Sequence, residues 1–251
     1  MHDETVIAEF TGQAASFNGA AVINAPDILE RLVQVAQPRP DQRWLDAACG
    51  TGVVARALAP RVREVIGVDA TPAMVELARE EAAARGIANV SFTTGDVTAL
   101  ALPEASVDGA MSRFALHHIP APGRVVAELA RVVSPGGAIV VADIAADEDL
   151  DAYAWSQEIE RLRDPSHWAA LTPRRLREVG RAAGLTLEHE ELVALALDFE
   201  DWLARGSGAV NAAVIEQALT HAPAAATSFA VRSHGGARFL HYPLWVGRWR
   251  R

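Results

Sequence analysis

Apolar and polar positions along the chain follow two periods. Short apolar runs read WLDAA (44–48), EVIGV (64–68), NVSFT (89–93), VDGAM (107–111) and AIVV (138–141). Their length and β-branched content predict buried strands. Between them, apolar residues recur at three- and four-residue spacing. Such stretches predict helices from 53 to about 59, from Pro72 to about Arg85 behind a Thr71 cap, and from Pro122 to Val133, where SPGG (134–137) stops it. Ahead of the first strand, residues 3 to 20 carry Phe10, Ala14 and Phe17 at helical spacing, as a surface helix or one laid over a ligand site. Residues 26 to 37 open on Pro26, show Ile28, Leu29, Leu32 and Val33 on one face, and end at Pro38 and Pro40.

Beyond Asp143 the pattern changes. An acidic amphipathic helix is predicted over 148–163, then a loop, RDPSHW (163–168), and a helix over 171–184 with Thr172 as cap. Residues 185–193 suit a sixth strand, and 199–222 a helix in two pieces that loosens at GSG (206–208). A last strand fits 238–249, where Pro243 argues for an edge or bulged position. Alternating strands and helices imply an α/β fold, a mostly parallel sheet with helices on both faces. Without a repeat or low-complexity linker, the chain reads as one domain. It has N-terminal helices (1–37), a core (40–143) and cap elements (146–170 and 195–235).

In such sheets ligands bind at the carboxyl ends of the strands, which draws Ala47–Gly52, Asp69, Gly95–Asp96 and Ser112–His118 to one edge. Gly50 to Ala55 satisfies G-x-G-x-x-G/A, and Asp69 lies 17 residues past Gly52. That turn alone suits either of two adenosine cofactors, a nicotinamide dinucleotide or S-adenosyl-L-methionine. Three acids favour the second. Asp46, before the turn, suits an amino group; Asp69 can accept both ribose hydroxyls; Asp96 is placed for the adenine amine. Each also has a plainer reading as a cap for the element that follows.

Composition narrows the choice. Net charge is −9 over 251 residues, which fits a cationic ligand and disfavours a diphosphate or free nucleic acid. All 23 cationic residues are Arg, so a Schiff-base lysine and a P-loop are excluded. The one cysteine, Cys49, builds neither a disulfide framework nor a thiolate zinc site, and the histidines show no metal-ligand spacing. The acidic start is unlike a signal peptide, and no apolar run is long enough to span a membrane, so a cytoplasmic location is expected.

LDAACGTG, VIGVDATPAMVELARE, FTTGDVTALALPEASVDGAMSRFALHHI and ELARVVSPGGAIVVAD, in that order, resemble the class I S-adenosylmethionine-dependent methyltransferases, nearest the ubiquinone/menaquinone-type small-molecule group. SRFALHH, RDPSHW and LDFEDWLARG further resemble a bacterial subgroup largely without assigned substrates. The resemblance implies a Rossmann-like seven-stranded sheet with an antiparallel last strand and helical caps. It also implies methyl transfer to oxygen or activated carbon of a small molecule. Asp46, Ala48, Gly50 and Gly52 would line the methionine part, and Asp69 would hold the ribose, with Ala70 and Met74 near the adenine. Gly95, Asp96 and Val97 would flank the adenine edge, while Ser112, Arg113 and Phe114 would close the side facing the acceptor. Ala47 departs from the larger aliphatic usual there, and Cys49 suits small-residue packing.

His117 and His118, just past the fourth strand, and His167 in the RDPSHW loop are candidate bases, since imidazole titrates near neutrality. Adjacent histidines also commonly pack or bond backbone carbonyls, and Arg163 and Asp164 can pair with each other. Arg113 can orient an acidic acceptor or pair with an acid. Trp155, Trp168 and Trp202 can build an apolar acceptor pocket or a helical core. Two rivals stand beside this reading: an NAD-type oxidoreductase, and a protein of the same fold that binds the cofactor without transferring its methyl, such as a cyclase. A homodimer is compatible with all of them.

Overall fold

A computed structural model describes residues 2–17 and 24–251, side chains at 15–17 excepted. In chain order the elements are α1 (His2–Phe17), α2 (Pro26–Ala36), β1 (Arg43–Ala47), α3 (Val53–Leu58), β2 (Glu64–Asp69), α4 (Pro72–Ala84) and β3 (Val90–Thr94). β4 (Val107–Arg113), α5 (Pro122–Val132), β5 (Val133–Ile144), α6 (Leu150–Arg163), α7 (Pro173–Ala182) and β6 (Thr186–Asp198) follow. The chain closes with α8 (Phe199–Leu203), α9 (Ala212–Leu219), β7 (Val231–His234) and β8 (Ala237–Arg250). Of the predicted N-terminal helix, the Phe17 side chain and residues 18–20 lie outside the described residues.

The sheet runs β3-β2-β1-β4-β5-β8-β6, with β7 paired to β8. β1 to β5 pair in parallel, and β8 is antiparallel to both β5 and β6. The eighth strand, β7, is a short hairpin partner for the overhang of β8. SPGG does not precede β5 but lies inside it. Val133 pairs with Val107 and Ala138 with Gly109, so the extra residues bulge out of the ladder.

Pro243 sits in an interior strand, opposite Ala194 of β6, rather than at an edge. Its carbonyl accepts from Ala145 N at 2.9 Å, so its nitrogen faces the same side. There β5 has already ended, with Ile144 opposite Leu244, and the missing N–H leaves no ladder bond unmade.

Alternation along the strands sends Leu45 and Ala47 to a core under α5 and α7, and Trp44 to a second core under α2, α3 and α4. A third core, around Ile159, Phe199, Trp202, Phe229 and Tyr242, joins α6, α8 and the β7–β8 hairpin beyond the end of β5. The segments expected to cap the cleft, 146–170 and 195–235, thus pack around an apolar interior of their own. Trp202 is part of it, and Trp155 is half-buried against it, donating its Nε1–H to Ala218 O at 3.0 Å.

Candidate active site

The carboxyl ends of β1 to β4 converge on a cavity of about 620 Å³, within the size range of small-molecule sites. β1 ends at Ala47, and Ala48 takes a left-handed φ of 56° that turns the chain into Cys49–Gly50. Gly52 N then donates to Cys49 O at 2.8 Å, closing the turn before α3. The two glycines serve different ends. Gly50, with φ 50°, lines the cavity. Gly52 does not: at φ 74°, a Cβ on it would lie 2.7 Å from the Phe92 ring and 3.2 Å from Ala78 Cβ. Its lack of a side chain serves the packing of β3 and α4 against the turn.

Asp46 is buried, and its Oδ2 accepts from Ala55 N at 2.8 Å, supplying the start of α3 with an acceptor that Gly52 lacks. Its other oxygen has no protein partner among the described residues. Burial, helped by the charge of Asp69, pushes the Asp46 carboxyl up to about 7. Asp69 accepts from Gly50 N through Oδ2 and from Thr71 N through Oδ1, both at 2.8 Å, so one side chain ties the glycine turn to the start of α4. Burial raises its pKa too, against the pull of those two N–H groups. Each Asp69 oxygen keeps a second lone pair. Asp96 is exposed and forms a turn with Thr98, whose N–H it accepts at 2.7 Å.

Ala70, Met74, Gly95 and Val97 line the cavity beside these acids, and Arg113 and Phe114 line it from β4. Burial lowers the Arg113 pKa to about 10, while Asp46 opposes that shift. The Arg113 guanidinium lies 4.7 Å from the centre of the Phe114 ring, and Phe114 has a left-handed φ of 51°. Ser112, buried one residue earlier, faces the other side of β4 and does not line the cavity. Strand alternation accounts for this, since adjacent side chains cannot share a face.

Of the three histidines only His118 lines the cavity. His117 lies behind it, its Nδ1 2.5 Å from Asp143 Oδ1. Burial favours a neutral His117, but the Asp143 carboxylate outweighs it and raises the pKa. Asp143 also accepts from Leu116 N at 2.6 Å and Ile144 N at 2.7 Å, and it stays below the usual carboxylate range because His117 offsets its burial. His167 is held by Gln157 Oε1 at 2.8 Å, and burial pushes its pKa well down. Burial, together with His117, pulls His118 to about 3.

None of the three tryptophans in the cap reaches the cavity. Its apolar wall comes instead from α1, through Val6, Ile7 and Phe10, and from Ile119 and Pro120. Phe10 meets the His118 ring edge-on at 5.0 Å, and His2 Nε2 donates to His118 O at 2.8 Å. The spacing of 6, 7 and 10 marks this face in the sequence, without marking what it covers. No group of three or more His, Cys, Asp or Glu that could hold a metal occurs among the described residues. No helix among them is long and apolar enough to cross a membrane.

Residues 45–141 match the methyltransferase domain model. The chain is 32% identical over 197 residues to the uncharacterized methyltransferase YcgJ of Bacillus subtilis, an alignment covering 78% of each protein. The crystal structure of YcgJ superposes with a TM-score of 0.83 at 30% identity, over 89% of this chain and 97% of that one. Demethylmenaquinone methyltransferase of Thermus thermophilus is 37% identical over 113 residues, 44% of this chain and 51% of that protein. At 19% identity, the [4+2]-cyclase SpnF shares the fold alone, with a TM-score of 0.66 over 90% of this chain and 80% of that one. Identity sustained along most of both YcgJ and this chain, on the same sheet, leaves one assignment: the chain belongs to the class I S-adenosylmethionine-dependent methyltransferases.

Proposed function

We propose that this single-domain protein transfers a methyl group from S-adenosylmethionine to oxygen or activated carbon of a small organic molecule. The observation that carries the proposal is the pair of carboxylates lining one cavity, Asp46 buried and Asp69 half-buried, both with raised pKa, with Asp96 at the rim. Two carboxylates held close together and largely shielded from water gain most from a cationic ligand. The free Asp46 oxygen suits an ammonium, the spare Asp69 lone pairs suit two vicinal hydroxyls, and Asp96 suits the adenine amine. Ala70, Met74, Gly95 and Val97 would flank the adenine.

When bound, the cofactor supplies a methyl carbon whose bond to sulfur breaks as the bond to the acceptor forms, any acceptor proton going to water. The contribution of the protein is then alignment. Arg113 and Phe114 would face the acceptor, Val6, Ile7 and Phe10 would exclude water, and His118 would present an imidazole that stays neutral at physiological pH. His117 and His167, tied to Asp143 and Gln157, would support His118 and the cap rather than touch the acceptor.

Equilibrium titration with S-adenosylmethionine and NADH, followed by incubation of methyl-labelled cofactor with phenols, quinols and β-keto acids, tests this. Micromolar binding of the sulfonium cofactor and label in the product are expected. NADH binding without S-adenosylmethionine binding would sink the proposal, and product without label would point to a cyclase.

A further inference from the structure

The RDPSHW loop buries four polar side chains, Arg163, Asp164, Ser166 and His167. Arg163 is taken up by Glu160 and Asp164, and His167 by Gln157. Ser166 instead reaches across 48 residues of sequence to His118.

The donors and acceptors here admit one arrangement. Asp164 Oδ1 accepts from Ser166 N at 2.9 Å and from Ser166 Oγ–H at 2.5 Å. Although burial pushes Asp164 up, Arg163 holds it below the usual carboxylate range, so it is ionised and can only accept. The serine proton therefore lies on Asp164. Ser166 Oγ turns a lone pair to His118 Nδ1 at 3.0 Å, and the Ser166 carbonyl presents another at 3.1 Å. Neither oxygen has a proton to give, so Nδ1 carries the ring proton. Nε2 is left with its lone pair, no protein partner among the described residues, and a ring that lines the cavity.

We propose that the RDPSHW loop is a tautomer lock: Asp164, acting through Ser166, holds His118 with Nδ1 protonated, so that Nε2 receives a hydrogen bond from the methyl acceptor. Ser166 and Asp164 are positioning residues in this scheme, and His118 touches the acceptor. An ionised carboxylate would set lone pair against lone pair at Nε2. The fitting nucleophile carries its own proton, as a hydroxyl or an enol, and passes it through Nε2 to water as the bond to the methyl carbon forms. This rests on the methyl-transfer reading, since it assigns the acceptor side of that cavity.

The test uses the full chain labelled with nitrogen-15 histidine, with and without S-adenosylhomocysteine. A long-range proton–nitrogen correlation spectrum reads the tautomer of each imidazole, and His118→Asn identifies the His118 signals by their loss. A protonated Nδ1 and a bare Nε2 are expected. Phenol should shift Nε2, and benzoate should leave it in place.

Ser166→Ala should populate both tautomers and slow transfer to a hydroxyl acceptor by about tenfold or more. S-adenosylhomocysteine affinity should hold within about twofold. Ser166→Thr, which keeps the hydroxyl, should restore the wild-type pattern. A protonated Nε2 in the wild type overturns the proposal, as does an unchanged tautomer in Ser166→Ala or a shift with benzoate and none with phenol. The wild-type spectrum needs no variant, so a Ser166→Ala chain that fails to fold leaves the test decisive. Loss of S-adenosylhomocysteine binding by the wild type would instead strike the methyl-transfer reading.

Discussion

On the β1–β3 side of the cavity the carboxylates bond backbone N–H groups of neighbouring turns; on the β4–β5 side the histidines bond side chains from distant elements. Asp46 reaches a partner 9 residues on, and Asp69 partners 19 and 2 residues away. His117 reaches Asp143 across 26 residues, and His118 reaches Ser166 across 48. The first side is a local device, able to set the shape of a ligand site wherever the strand–turn–helix unit folds. The second is assembled from parts far apart in the chain: His117 needs β4 and β5 side by side, and His118 needs the RDPSHW loop in place, so changes there fall first on how those elements pack.

The largest effects should separate the two sides by what they destroy. Asp143→Ala strips the acceptor from Leu116 N, Ile144 N and His117 in a buried setting, and should cost about 3–5 kcal/mol of stability. Asp69→Ala orphans two backbone N–H groups at a partly exposed position and should cost about 1–3 kcal/mol. S-adenosylhomocysteine binding should rank them the other way, falling at least about tenfold in Asp69→Ala. Urea unfolding and ligand titration of both variants measure this. Equal losses on both axes would mean that the two sides form one cooperative unit.

Strand ends carrying Asp46 and Asp69 were legible because period, glycine turn and terminal acid fall within a few residues of one another. Gly52 was legible as a required glycine for a reason that was not: the ring it avoids, Phe92, comes from β3. The turn of Ser112 away from the cavity is also legible, because alternation along β4 places it opposite Arg113. The partners of His117 and His118 had no local signal. A histidine pair after a strand looks the same whether its bonds go to an acceptor, to Asp143 or to a serine beyond two helices. For the same reason the sequence offers two sources for the apolar wall, the N-terminal helix laid over the ligand site and the three tryptophans, and the structure takes the first, with Val6, Ile7 and Phe10 of α1.

A smaller effect should appear as a pH dependence confined to the carboxylate side. In the free chain the folded Asp46 holds its proton to about 7, against 3.8 unfolded. Folded protein thus binds more protons between those values, and the contribution of Asp46 to stability declines as pH rises through them, then stays flat. Ligand binding runs in the opposite sense. An ammonium requires the ionised form, so the dissociation constant for S-adenosylhomocysteine should rise about tenfold from pH 8 to pH 6. Asp46→Asn should abolish that slope. A slope that survived the substitution would move the titrating group elsewhere in the cavity.

The smallest effect tests how far the carboxylate row extends. Asp96 is exposed, and among the described residues its carboxylate bonds only Thr98, two residues away. Because Asp96 is exposed and bonded within its own turn, Asp96→Ala should change stability by no more than about 0.5 kcal/mol. If Asp96 holds the adenine amine, affinity should still drop, by about threefold to tenfold for one partly solvated hydrogen bond. Adenosine-free probes such as methionine should bind the variant and the wild type alike. A drop for methionine as well would place Asp96 outside the adenine end, and the row would then consist of Asp46 and Asp69 alone.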